Sequence, residues 1–434
     1  MNPRILSRLH LGLAALALLL AVAPAQAAIP GLEGTAFWLV AREDVLSTPD
    51  GGAFLFWGLA PDGTLTQYPG PTLIVPQGAT VSVQLTNELP VATSLTFPGQ
   101  RGVQAVGGAP GPLAQEAAPG ETVTYTFVAE AAGTYLYQAG SRPDLQIEMG
   151  LVGALIVRPA GFNPLSPQAY PSADTAYERE NLFLLTELDM RVHDMVLFEG
   201  PLAPGLDALL ADFQPVYWFI NGRAAPDTMA DDLVPWLPTQ PYGAMTHTMP
   251  GERLLMRVIG AGRDLHPFHH HGNHARVIAR DGQLLSSAVG AGADLAMDVF
   301  TVQSVPGATT DAIFSWTGEK LGWDIYGTEV AHDCMDHDGD QFDDHTREYC
   351  PDHGKVLPTV MPGDQEMAYG GFWSGSPFLS AGAELPPGEG GLNPGGAFVH
   401  MWHSHTEREM TNNDVFPGGM MTMLMVEAPG TPMP

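Results

Sequence analysis

The chain has 434 residues, 45% of them hydrophobic, and a formal net charge of −30 at pH 7. A polyanion of this kind is a poor partner for nucleic acid or anionic lipid; it would attract cations or a basic partner, although its commonest meaning is solubility. The 50 glycines and 39 prolines exclude a mainly helical protein and point to a turn-rich, mostly β one, and the length leaves room for two domains or three.

In chain order, the N-terminus reads as an export signal. Arg4 and Arg8 form a basic start, Leu11 to Val22 are apolar and uncharged, and Ala25-Gln26-Ala27 fits a small-residue cleavage site, so the mature protein is expected to begin at Ala28. The apolar run is shorter than the ~20 residues a membrane anchor needs, and no later segment is long and apolar enough to span a bilayer. The expected destination is periplasmic, cell-surface or extracellular.

Residues 28–160 read as short strands punctuated by Pro, Gly and Asn. Thr72 to Val75, Thr80 to Leu85, Thr122 to Val128 and Gly153 to Val157 are β-branched or alternating runs. Residues 161–180 form a Pro/Ser/Ala-rich linker. A second β-rich region, residues 181–430, starts at Leu182 to Leu185. It continues through Trp218 to Gly222, Arg253 to Val258 and Ala275 to Ile278, and closes with Met421 to Val426. A Gly-, Pro- and Asp-rich insertion at residues 328–396 interrupts it, and no long amphipathic helix stands out. The expected fold class is all-β, with two Greek-key sandwich or barrel domains.

Histidine placement localises the chemistry. Of 15 histidines, His10 lies in the export signal and the rest begin at His193, so the first half of the mature chain offers no imidazole. His266, His269 and His271 have the spacing H-x-x-H-x-H, repeated by His400, His403 and His405. Alternate residues on a strand share a face, so His269 pairs with His271 and His403 with His405. Neutral imidazoles in such a group suit Cu(II), Zn(II) or Ni(II), and a cluster of them without a metal would be costly at low pH. Met421, Met423 and Met425 alternate in the last strand, which reads as the core face of that strand.

The cysteines, Cys334 and Cys350, most simply form one disulfide in an exported protein, with metal-ligating thiolates as the alternative. Between them runs an acidic loop in which Asp336, Asp338 and Asp340, with Asp343 or Asp344, resemble a calcium loop around a glycine turn. The position of its last expected acidic ligand is Arg347, so it departs from an EF-hand. His332, His337, His345 and His353 flank the loop, and a second transition-metal site there is a further alternative.

Taken together, these residues resemble the multicopper oxidase family. Tyr68-Pro69-Gly70-Pro71-Thr72, Gly133-Thr134-Tyr135-Leu136-Tyr137 and Gly150 to Val157 look like parts of its first cupredoxin domain. His266-Pro267-Phe268-His269-His270-His271-Gly272 is close to its copper motif H-P-x-H-x-H-G, and Trp402-His403-Ser404-His405 stands where it has H-C-H. The resemblance implies two cupredoxin-like domains and copper held by His266, His269, His271, His403 and His405. It implies a trimer only by analogy with two-domain relatives, and small-molecule or metal-ion substrates. The sequence departs from the family at Ser404, in place of the type 1 thiolate, and at Glu409, in place of the second type 1 histidine. The first domain's histidine pairs fall on Thr96-Phe97-Pro98 and Gln138-Ala139-Gly140. The expectation is therefore a copper protein of reduced metal content, a candidate copper-dependent oxidoreductase but not a complete laccase. The alternative is a non-catalytic metal-binding protein or cell-surface scaffold stabilised by calcium.

Overall fold

The computed structural model describes residues 29–61, 63–327, 331–356, 379–380, 383–384, 398–427, 431 and 433. The expected export signal lies outside the described residues, as does most of the expected 328–396 insertion.

Alternation builds the first sandwich. In the strand Thr122–Val128 the residues Val123, Tyr125 and Phe127 are buried while the threonines between them face out. Thr80–Asn87, its antiparallel neighbour, buries Val81, Val83 and Leu85. These two strands pair outward to Ala36–Ser47 and Ala53–Pro61 on one side and Gln104–Val106 on the other. The facing sheet runs Leu32–Glu33, Gly70–Pro76, Val152–Arg158, Gly133–Ala139, Leu95–Thr96. Between the sheets lie Trp57, Leu59, Leu73, Tyr137 and Leu155.

The second sandwich repeats the plan. One sheet runs Tyr217–Ile220, Arg179–Leu188, Leu254–Gly260, Thr309–Phe314, Ala275–Arg280, Gln283–Leu284, with Met297–Val299 attached to the Ala275–Arg280 strand. The other runs Thr246–Thr248, Met421–Val426, Phe398–Ser404, His266–His270, Thr301–Ser304. Phe183, Phe268, Phe314 and Trp402 fill the space between them, with Phe268 and Trp402 meeting edge to face at 6.4 Å. Both sandwiches are β throughout, as expected.

Val152–Arg158 is buried on both faces because its outer side is covered by the second sandwich. Val152 and Ala154 pack there against Leu182, Leu184 and Ile259. Charges are paired across the same boundary: Glu180 bonds both Arg158 and Arg257, and Arg257 donates to Thr134 Oγ1 at 2.8 Å. The Pro/Ser/Ala-rich stretch at 161–180 is correspondingly packed rather than loose. Tyr170 and Tyr177 are buried in it, and the Tyr170 hydroxyl donates to Asp311 Oδ2 at 2.5 Å.

Helices are few among the described residues. The ten-residue helix Met190–Glu199 is capped by Asp189, which accepts from the Arg191 N–H, and Val192 and Val196 press into the first core. The methionine reading of the last strand needs correction. Thr422, Leu424 and Val426 are the buried set, and Met423 and Met425 lie on the opposite, half-buried face.

Candidate metal centre

That outer face of the second sandwich is where the imidazoles gather. His266–His270 and Phe398–Ser404 run antiparallel with His269 directly opposite His403, and His403 is in turn opposite Met421. Strand parity places His271 on the face of His269, one step beyond the strand end. Ligand nitrogens of His269, His271 and His403 lie within 4.8 Å of one another. His403 Nε2 is 3.3 Å from His271 Nε2. His405 joins the group with its ring centre 5.0 Å from that of His269 and 5.7 Å from that of His403. The His405 backbone N–H donates to the Pro267 carbonyl at 2.8 Å, which ties the end of one strand to the start of the other.

The orientation of the rings tests whether a metal fits. His269 Nδ1 sits 2.7 Å from the Phe300 carbonyl oxygen and 3.0 Å from Thr301 Oγ1. His403 Nδ1 sits 2.7 Å from the Ser404 carbonyl oxygen. A carbonyl can only accept, so Nδ1 carries the proton in both rings and Nε2 presents a lone pair to the cluster. This is the arrangement by which metal-binding histidines are oriented. Protonation states agree. Burial, followed by the charge of neighbouring imidazoles, lowers His269 to about 4 and His271 to about 3, and burial lowers His403 as well. The rings are neutral at physiological pH, as ligation requires.

His266 is separated from this group. It is fully buried on the inner face of the strand, three residues from His269 and so on the opposite face, and both its nitrogens are taken: Nδ1 by Glu409 Oε2 and Nε2 by Glu187 Oε2, each at 2.9 Å. Ser404 Oγ donates to the same oxygen of Glu409, and Glu187 accepts the backbone N–H groups of Arg263 and Asp264. Burial alone would depress the imidazole, but the two carboxylates outweigh it and raise His266 to about 9. Both ring nitrogens of His266 are thus engaged by carboxylates, on the face away from His269, His271 and His403. Glu187 was not singled out from the sequence. Its signal is a lone carboxylate in the apolar run Leu182-Phe183-Leu184-Leu185-Thr186-Glu187-Leu188.

The remaining histidines are placed elsewhere. His270 and His400 face the core, His193 Nδ1 meets the Leu55 carbonyl, and His247 pairs with Glu427. In the first sandwich Thr96 and Gln138 are cross-strand neighbours and Thr96 Oγ1 donates to the Gln138 carbonyl at 3.2 Å. The two positions where the family pattern has histidine pairs are thus side by side, without imidazoles.

In the insertion Cys334 and Cys350 are disulfide-bonded. Asp336, Asp338 and Asp340 come within 4.8 Å of one another at an exposed turn, but Asp343 and Asp344 do not join them. Asp343 is buried and accepts the backbone N–H groups of Met335, His345 and Thr346, which hold its carboxyl well below the usual range. Asp344 is bound to His337, and Asp340 to Arg347. The expected calcium set is thereby reduced to three exposed carboxylates, one already paired with a guanidinium.

Comparison with known proteins agrees with this architecture. A multicopper oxidase family model matches residues 63–161. The chain is 40% identical over 101 residues to multicopper oxidase MCE of Talaromyces pinophilus, covering 23% of this chain and 16% of that protein. It is 32% identical over 172 residues to Laccase-1 of Emericella nidulans, covering 37% of this chain and 26% of that one. The matches thus span about a quarter or less of these relatives' own length. Among solved structures, the blue copper oxidase from Nitrosomonas europaea aligns over 90% of this chain and 85% of its own with a TM-score of 0.54 at 20% identity. A copper nitrite reductase from the same organism aligns over 93% and 98% with a TM-score of 0.51 at 16% identity, and both likenesses speak to the fold alone. A family model over residues 63–161, short curated matches and a shared fold all point the same way: this chain is similar to the multicopper oxidases.

Proposed function

We propose that this chain is an exported copper-binding protein that uses His269, His271, His403 and His405, and acts as a copper-dependent oxidoreductase of reduced metal content rather than as a complete laccase. The observation that carries the reading is the pair of rings whose Nδ1–H groups are anchored on carbonyls so that Nε2 is offered to one point. Copper held there would supply a redox centre with a coordination position left for a small substrate. The chain's own contribution is to present neutral imidazoles, to fix His269 through Phe300 and Thr301, and to leave His405 exposed at the entrance.

The type 1 position supports the second half of the proposal. Where that centre would need a thiolate and two imidazoles, Ser404, Glu409, Glu187 and His266 form a closed hydrogen-bonded charge network. A serine hydroxyl is too hard and too basic to replace the thiolate. Calcium is not needed to hold the acidic turn, because the disulfide and Asp343 already close it. Export follows from the basic–apolar–small-residue pattern of the first 27 residues, and a trimer only from analogy with two-domain relatives; the N-terminal mass and the solution mass test these two.

The deciding experiment is the metal content of the mature protein from a copper-supplemented preparation, beside a His269→Ala/His403→Ala variant. About one or more copper per chain, lost in the variant, together with oxidation of a phenol or metal ion that is lost in parallel, would support the oxidoreductase. Tight copper without turnover would leave a metal-binding protein. Copper absent from both would leave a scaffold.

A further inference from the structure

The disulfide-closed part of the insertion holds a second cluster of a different chemistry. Asp324, His332, Glu348 and His353 each offer one atom, and the four atoms lie within 4.8 Å of one another. Asp324 and Glu348 are the inner pair, with side chains only 1% exposed, while His332 and His353 close the outside at 25% and 31%. The disulfide accounts for the convergence. His332 precedes Cys334 by two positions, Glu348 precedes Cys350 by two, and His353 follows it by three, so joining the sulfurs draws the three side chains together. Asp324 is fixed from the other side by backbone N–H groups of Tyr326 and Gly354, at 2.9 and 2.8 Å.

Both imidazoles converge on both carboxylates. His332 Nε2 is 3.5 Å from Asp324 Oδ1 and 3.4 Å from Glu348 Oε2. His353 Nδ1 is 3.5 Å from Asp324 Oδ2 and 3.0 Å from Glu348 Oε1. Only the last is a good hydrogen-bond length. Zinc bonds of about 2.0–2.1 Å at tetrahedral angles set donor atoms about 3.3–3.4 Å apart, and with one atom per residue within 4.8 Å the four groups need close in only modestly around one ion. Independently, Glu348 Oε2 is buried and accepts no hydrogen bond among the described residues. A buried carboxylate oxygen in that state is strongly unfavourable unless a cation meets it.

We propose that Asp324, His332, Glu348 and His353 form a structural zinc site that, with the Cys334–Cys350 disulfide, clips the insertion to the second sandwich. Two carboxylates balance a divalent ion, two imidazoles match the preference of zinc for mixed nitrogen and oxygen donors, and four protein ligands leave no open position. Calcium does not suit the site, since it wants six to eight oxygens.

The test uses the chelator-stripped mature protein titrated with zinc alone, by calorimetry and by metal counting, in a His269→Ala/His403→Ala background so that the other imidazoles do not contribute. One equivalent of zinc is expected. It should weaken at least tenfold in Glu348→Gln, which preserves shape, and vanish in His332→Ala/His353→Ala. Zinc should also slow tryptic cleavage after Arg347 and Lys355 at least tenfold, and calcium at the same concentration should not. Absence of zinc uptake in that background would overturn the proposal, as would uptake indifferent to Glu348→Gln and to the His332/His353 pair. Neither result bears on copper at the other cluster, which is read from the wild-type chain.

Discussion

The charge network around His266 makes a quantitative prediction through Glu409→Gln. His266 is held at about 9 against an ordinary value of 6.5. At about 1.4 kcal/mol per pH unit, that corresponds to about 3 kcal/mol of folding free energy. The folded protein keeps a proton on His266 that the unfolded chain releases between pH ~6.5 and ~9, so this stabilisation is complete below pH 6.5 and is lost as pH rises through 9. Glutamine at 409 retains the shape and the Ser404 contact but removes one of the two carboxylates facing His266 at 2.9 Å. The variant should therefore be less stable than the parent by about 1–2 kcal/mol at pH 6, roughly half of the His266 contribution. At pH 9.5 the difference should vanish or reverse, because the parent then buries two carboxylates around an imidazole that has lost its proton. Urea unfolding of both proteins at the two pH values measures the difference, and the His266 ring resonance gives its titration directly. A stability gap that stays constant from pH 6 to 9.5 would refute the reasoning, as would a His266 resonance that titrates near 6.5 in the parent.

Four further outcomes are expected. Replacing Ser404 with Cys alone should give no blue colour, whereas Ser404→Cys with Glu409→His should produce an intense copper–thiolate band, because only the pair frees His266 Nδ1 and supplies the missing ligands. Thr301→Val should weaken copper binding less than tenfold, below the usual 10–100-fold range for such supports, since the Phe300 carbonyl still holds His269 Nδ1; metal titration checks this. In the metal-free protein, acid should destabilise from pH 6.5 downward, because His269 and His271 resist protonation when folded to about 4 and 3, and that pH dependence should shrink in His269→Ala. Reduction of Cys334–Cys350 should cost about 3 kcal/mol locally in the chain-entropy model, read as faster proteolysis of the 331–356 segment.

Much of this was legible in the sequence, for identifiable reasons. Strands such as Thr122–Val128 declare themselves because one face meets a core and the other solvent. Gly70–Pro76 and Val152–Arg158 show no such alternation, since the second sandwich covers their outer face, and their β-branched content marked them instead. The helix Met190–Glu199 escaped notice because it is short and buries few residues, held by its Asp189 cap and its seat on the first core. The methionine strand shows a limit of pattern reading. Period-two alternation divides Met421 to Val426 into two faces but does not say which is inside, and Thr422, Leu424 and Val426 took the core.

The candidate site separates in the same way. Parity alone places His269 and His271 on one face and His266 on the other, because residues three apart on a strand point in opposite directions. The copper motif of the family had put all of them in one list, as ligands of two different centres. What no spacing could reveal was the set of partners around His266. A buried histidine without charged partners is forced neutral by burial. Here Glu409 faces the ring from one side and Glu187 approaches from another strand, and the two carboxylates raise His266 to about 9 despite its burial. Ser404 and Glu409 thus act together on one group, since Ser404, His266 and Glu409 meet at a single carboxylate oxygen.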